Sequence, residues 1–125
     1  MKKAFASTQA PAAVGPYSQA VGFGALVFLS GQLGLTAEGT LAGEDAAAQA
    51  RQALANIRAV LAAAGLAMSD VLKTTVFLTD MNDFAAVNEV YREFFAEPYP
   101  ARSCVAVAAL PRGAKVAIEA VAGRG

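Results

Sequence analysis

The chain has 125 residues, of which 56% are apolar and only 16% charged, and its ten basic and ten acidic side chains cancel. That length predicts one compact domain, residues 1–125, and the balance supplies none of the positive excess that grips a phosphate backbone, which argues against nucleic acid as a partner. There is no histidine and a single cysteine, which removes the commonest general base and metal ligand, any internal disulfide and any thiolate zinc cage, and suits a reducing, cytoplasmic setting.

The opening "MKKAFASTQAPAA" carries two lysines but no apolar core of signal-peptide length. No uncharged apolar stretch approaches the length of a membrane span. Residues 7–19, rich in Pro, Gly and small polar side chains, predict an ordered loop. A short buried strand follows over 25–31, ending at Ser30-Gly31, and 35–43 has the turn residues of a hairpin or surface loop.

The strongest helix signal covers 45–64. Ala50, Leu54, Ile57, Leu61 and Ala64 recur at helical spacing, with Gln49, Gln52, Asn56 and Arg58 placed elsewhere around the cylinder and Gly65 as the stop. A β-branched strand spans 70–80. Asn82 or Asp83 caps a second helix with Phe84, Val87, Tyr91 and Phe94 or Phe95 on one face, and Pro98 marks its end. Two further strands, 103–110 and 115–122, split by "PRGA", read as an antiparallel pair. The order predicts an α+β fold: a mixed sheet with two helices on one face. The other face is largely apolar, and in so short a chain its simplest cover is another copy.

Charge is scarce enough that its placement matters. Arg102 and Cys104 lie two apart at the mouth of an apolar run, so in a strand they share a face. Arg102 is either a rim side chain lying over its strand or a planar fork gripping a small carboxylate. Glu119 sits among Ala117, Ile118, Ala120 and Val121. It faces water from an edge strand, or pairs with Arg102 or Lys115, or is a site carboxylate in a partly apolar pocket. Cys104 is a small buried hydrophobe whose thiol pKa Arg102 would lower, though no histidine base stands by to make it a nucleophile. Tyr17, in "GPYSQA", either caps the core or orients a ligand with its hydroxyl, and Asn88 either satisfies a backbone group or lines a pocket.

Together "APAAVGPYSQAV", "LSGQLGL", "AQARQALANIRAVLAAAGL", "VLKTTVFLTDMNDFAAVNEVY" and "PARSCVAVAALPRGAKVAIEA" resemble the RidA/YjgF family over nearly the whole chain, and most of all its imine/enamine deaminases. The resemblance implies a chorismate-mutase-like fold assembled as a homotrimer, with a β-barrel core, helices outside and three clefts between subunits. It also implies hydrolysis of 2-aminoacrylate/2-iminopropanoate and 2-iminobutanoate to 2-keto acids and ammonia, without metal or organic cofactor. Such imines arise from pyridoxal-phosphate enzymes and damage them, which makes those enzymes functional partners. By the same resemblance Arg102 holds the substrate carboxylate and Glu119 positions or activates the water. Tyr17, Ser30, Gly31 and Asn88 line the cleft, and Cys104 contributes through its backbone. Relatives described as endoribonucleases, or as small-acid-binding or chaperone-like proteins, supply the alternatives. Ala106 and Ala117 stand where relatives often carry polar residues, and 35–43 lacks their Pro-rich loop.

Overall fold

The computed structural model describes all of residues 1–125. Six strands, β1 (Lys3–Phe5), β2 (Ala20–Phe23), β3 (Leu26–Leu33), β4 (Val71–Leu78), β5 (Ala101–Ala106) and β6 (Val116–Gly123), form one sheet in the order β1-β2-β3-β6-β4-β5. Only β4 and β5 run parallel. Helices α1 (Ala46–Ala63) and α2 (Phe84–Phe94) pack together on one side of it, the α+β arrangement predicted. Neither is long and apolar enough to cross a membrane.

Helix α1 starts and stops on local chemistry. The Asp45 carboxylate accepts the Ala48 amide at 2.7 Å, satisfying one of the donors that every helix start leaves open. Gly65 adopts φ 76°, and Leu66 N–H and Gly65 N–H return to the carbonyls of Leu61 and Ala62 at 2.9 and 3.0 Å, closing the end as a left-handed residue permits. Helix α2 is preceded by a turn in which Asp80, rather than Asn82 or Asp83, provides the side-chain cap, accepting the Asn82 amide at 2.9 Å.

Four expectations change. The strand predicted over 25–31 runs on to Leu33, passing through an irregularity between Leu29 and Gln32. Strands β1 and β2 went unpredicted because each is too short to show an alternation. The last two strands are not an antiparallel pair, since β4 lies between them. The chain leaves β4 through α2 and returns as β5 parallel to it, and 107–115 then carries it across to the centre. Finally, Glu119 is not on an edge strand. Val116, Ile118, Ala120 and Ala122 of β6 are buried under the helices, and neighbours bond on both sides. A run apolar on successive residues belongs in the middle of a sheet, whereas β5, with Arg102 and Ser103 exposed, belongs at its rim.

Between helices and sheet lies a continuous core that includes Leu54, Ile57, Leu61, Val76, Leu78 and Ile118. Two side chains expected on the outer side of α1 are inside it, for a reason that spacing cannot reveal. Asn56 donates from Nδ2 to the carbonyls of Leu33 and Leu35 at 3.2 and 2.8 Å and accepts from Gln52 at 2.9 Å. Gln49 donates to the Gly43 carbonyl at 3.0 Å and accepts the Lys115 amide at 2.8 Å. Each satisfies backbone groups that buried loops leave without partners. Gly34 lies so close that a Cβ there would collide with the backbone of Gln49.

The opposite face of the sheet has no cover within the chain. Phe23 is 63% exposed and Leu72 53%, with Leu26, Phe28 and Val105 also open.

Asn56→Ala strips two buried carbonyls of their donor, so a loss of about 2–3 kcal/mol is expected. Urea unfolding at fixed protein concentration measures it. Gln52→Ala, at the half-buried rim, should lose less than about 1 kcal/mol. Equal losses would place the anchoring of 33–35 elsewhere.

Candidate functional site

Strand alternation sorts the site residues. Thr74 of β4 stands beside Arg102 and Val76 beside Cys104, while Thr75 stands beside both Ser103 and Glu119. Thr74 and Val76 are buried under the helices, so Arg102 and Cys104 project to the helical side. Glu119, one step out of phase, projects to the bare side.

On the helical side Arg102 is held by α2. Its Nη1 donates to Asn88 Oδ1 at 2.7 Å. The guanidinium carbon lies 4.8 Å from the centroid of the Tyr91 ring and 5.5 Å from that of Phe84, within reach of cation–π attraction. Tyr91, only 5% exposed, shares a 2.7 Å hydrogen bond with Thr74 Oγ1. No carboxylate pairs with Arg102; the ion pairs of the chain are Arg51–Glu93 and Arg92–Glu89. A hollow of about 370 Å³ opens beside it, lined by Asn88, Tyr91, Arg92, Tyr99, Pro100 and Arg102. The arrangement is a fixed planar cation with unused donors facing a small cavity, suited to a compact anion.

Two titrations respond to this cation. Burial raises the Tyr91 phenol, against the opposing pull of the Thr74 hydrogen bond and the Arg102 charge. Burial also raises the Cys104 thiol, and Arg102 recovers only part of that rise. The expectation that Arg102 leaves Cys104 with a lowered pKa is therefore corrected: desolvation outweighs the charge.

On the bare side lies a second hollow, of about 550 Å³, bounded by Tyr17, Gly31, Leu33, Phe77, Arg112 and Ala117 among others. Ala117 stands opposite both Leu33 and Phe77, on the same face as Glu119 two residues along. Tyr17 is half exposed, and its hydroxyl accepts the Val14 amide at 3.4 Å. Gly31 sits in the β3 irregularity, exposed, with open space where a Cβ would be. Ser30 is committed to structure, its hydroxyl donating to the Ser18 carbonyl at 2.6 Å. Glu119 is exposed and forms no ion pair with Arg102 or Lys115.

One chain thus brings Arg102, Asn88 and Cys104 together, gathers Tyr17, Gly31 and Glu119 on the other face, and keeps the two groups apart. Sequence reasoning missed Thr74, Tyr99 and the second role of Tyr91. Tyr91 was legible as a core aromatic, but its contact with Arg102 comes from the parallel crossover, which no local pattern announces.

The family model described as Endoribonuclease L-PSP matches residues 7–123. The chain is 50% identical to the 2-iminobutanoate/2-iminopropanoate deaminase of Salmonella typhimurium, with 99% of each covered. It superposes on the crystal structure of Escherichia coli TdcF with bound serine at a TM-score of 0.93, with 48% identity over 98% of this chain and 99% of that one. It superposes on RidA of an Antarctic Psychrobacter at a TM-score of 0.94, again with 48% identity and the same coverage.

The raised thiol predicts slow alkylation. The pH midpoint of iodoacetamide modification of Cys104 should lie above that of free cysteine and rise further in Arg102→Ala, where the lowering charge is gone. Mass spectrometry of timed samples from pH 6 to 10 reads both, and a midpoint below free cysteine would refute the assignment.

Proposed function

The chain belongs to the RidA/YjgF (Endoribonuclease L-PSP) family, and from that membership we propose that it hydrolyses 2-iminopropanoate and 2-iminobutanoate, with their enamine tautomers, to 2-keto acids and ammonia. The observation that carries the reading is Arg102. Its guanidinium is oriented by Asn88 and Tyr91, is free of any carboxylate, and faces a hollow with room for a three- or four-carbon acid. Serine, bound in the TdcF crystal structure, is a carboxylate of that size.

The substrate carboxylate takes the open edge of Arg102 in two parallel hydrogen bonds. Water adds to the C=N carbon as the Glu119 carboxylate takes its proton and passes it to the imine nitrogen. Glu119 then takes the hydroxyl proton of the resulting carbinolamine and delivers it to the amine as the C–N bond breaks, releasing ammonia and leaving the keto acid. Orientation plus one acid/base group, the latter worth about 10²–10⁴-fold, suffices for a reaction that water already performs. Pyridoxal-phosphate dehydratases acting on serine and threonine in the same cytoplasm supply the imines.

Because Glu119 and Arg102 lie on opposite faces of one sheet, the site is completed by two copies. Three chains close their bare sheet faces into a common barrel as a homotrimer, and each cleft takes Arg102, Asn88 and Cys104 from one copy and Glu119, Tyr17 and Gly31 from the next. The apolar residues on the bare face, Phe28 and Leu72 among them, supply the adhesion.

The endoribonuclease in the family description favours a second reading, RNA cleavage. A net charge of zero and the absence of histidine weigh against it. Ribonuclease activity that co-purifies with the protein and disappears in Arg102→Ala would reverse that judgement.

Three measurements test the proposal. In a coupled assay, threonine dehydratase plus this protein should release 2-oxobutanoate faster than dehydratase alone. Arg102→Ala should fall to the uncatalysed rate with its oligomeric state intact. Glu119→Gln should lose turnover by about 10²-fold or more while still binding 2-oxobutanoate. No acceleration by the wild type would leave a small-acid-binding protein. A further measurement, of the shared cleft itself, mixes the two inactive variants after subunit exchange. About one quarter of the clefts then pair an intact Arg102 with an intact Glu119, so activity should return to roughly that fraction. No recovery, with exchange verified, would sink the shared cleft.

A further inference from the structure

Tyr91 combines features that its place in the core does not require. It is almost fully buried, yet its ring faces a cation and its hydroxyl is bonded to Thr74 at 2.7 Å across the helix–sheet interface. A phenylalanine would fill the same space without needing a polar partner, and the sequence uses phenylalanine at the neighbouring core position 95, whose ring lies 4.6 Å from that of Tyr91. The Thr74–Tyr91 bond prevents the ring from sliding along the helix–sheet interface. Thr74 is also the residue beside Arg102 in the β4–β5 register. One strand position thus fixes both the root of the arginine and the surface on which its head rests.

The result is a guanidinium with three of its approaches defined. Its carbon lies over the Tyr91 ring at 4.8 Å and over the Phe84 ring at 5.5 Å, and Nη1 is bonded to Asn88. Arg102 also lines the hollow.

We infer that Tyr91 is a positioning residue for substrate binding: with its hydroxyl pinned by Thr74, its ring holds the Arg102 fork edge-on to the pocket, so that the substrate carboxylate meets a guanidinium already oriented. This deepens the carboxylate-clamp reading above and rests on it. The mechanism is pre-organisation. Arginine has many rotamers to lose, and one already bonded to Asn88 and lying over a ring has given up most of that freedom before the ligand arrives. The role predicts a larger effect on charged than on neutral ligands: the ring lines the hollow for both, but only a carboxylate meets the Arg102 fork that the ring orients.

The test compares dissociation constants for 2-oxobutanoate and its neutral amide by calorimetry, with thermal melting of each variant. Arg102→Ala separates the two levels of argument. If the wild type does not prefer acid to amide, or Arg102→Ala keeps that preference, the clamp reading fails. With the clamp established, Tyr91→Leu should lose about tenfold of the acid-over-amide preference, the scale of a partly desolvated cation–π contact. Tyr91→Phe, which keeps the ring but loses the bond to Thr74, should lose only about threefold. KM for the imine should rise in the leucine variant by about the same factor as the dissociation constant of the acid. A folded Tyr91→Leu with wild-type preference overturns the inference, as does a Tyr91→Phe as weak as the leucine variant. If the leucine variant does not fold, the double variant Tyr91→Phe/Thr74→Val carries the test. It keeps both volumes and removes both hydroxyls together, leaving no orphaned polar group. It should melt near wild type and lose about threefold of the preference as the ring becomes free to shift; an unchanged preference overturns the pinning.

Discussion

Successive residues of a β-strand face opposite ways, and that constraint governs the molecule. Thr74 and Thr75 are adjacent in β4, yet one stands beside Arg102 and the other beside Glu119. The cation and the carboxylate on which the proposed chemistry depends therefore cannot meet across one sheet, however the side chains turn. The face that carries Glu119 is also the face that leaves Phe23, Phe28 and Leu72 open to solvent. The apolar surface in need of a cover and the half-site in need of a partner thus coincide. In the proposed assembly the two are one problem, since a copy that buried this face would bring its residues up to Glu119.

Each half-site has its own rigid support. On the bare side, the two buried amides of α1 hold the loops around Tyr17. Gln49 ties down Gly43 and Lys115, and Asn56 holds the end of β3. Gly34 permits the close approach of loop to helix that these bonds require. Arg112, whose Nη2 donates to the Gly39 carbonyl at 2.7 Å, links the same two loops at their tips. On the helical side, the β4–α2–β5 crossover puts Asn88 and Tyr91 over Arg102. Arg102, Cys104, Gly31 and Glu119 stand on strands and Asn88 on a helix packed to the core, the kind of support that holds a reactive geometry within fractions of an ångström.

What the sequence disclosed follows from how far each signal reaches. Helix α1 was legible almost to the residue, since Asp45, Gly65 and the spacing of Leu54, Ile57 and Leu61 are local. The bare apolar face was legible from composition. The partner of β5 was not, because a turn signal such as "PRGA" records a reversal of the chain and not the strand it returns to. Gln49 and Asn56 were misplaced for a related reason. Polar residues are assigned outward by periodicity, and only the folded loops reveal carbonyls that need donors inside. The two-residue spacing placed Arg102 and Cys104 on one strand face, as the register has them, while the link from Arg102 to Tyr91 and Thr74 depends on a register between strands that no single segment encodes.

The means by which Arg102 is held bear on what it can do. A protein can fix an arginine with a carboxylate, but the bidentate pair that results occupies the fork and neutralises the charge. Here the work is divided between an amide oxygen and an aromatic face. Neither carries a formal charge, and together they occupy one nitrogen and one side of the plane. The guanidinium stays cationic and keeps donors facing the hollow, so an arriving carboxylate has no resident anion to displace. In a chain where acids and bases balance, a cation without a counter-ion beside a cavity concentrates positive potential where a small acid would dock. Its orientation depends on a phenol, and on the threonine hydroxyl bonded to it, neither of which offers a competing charge.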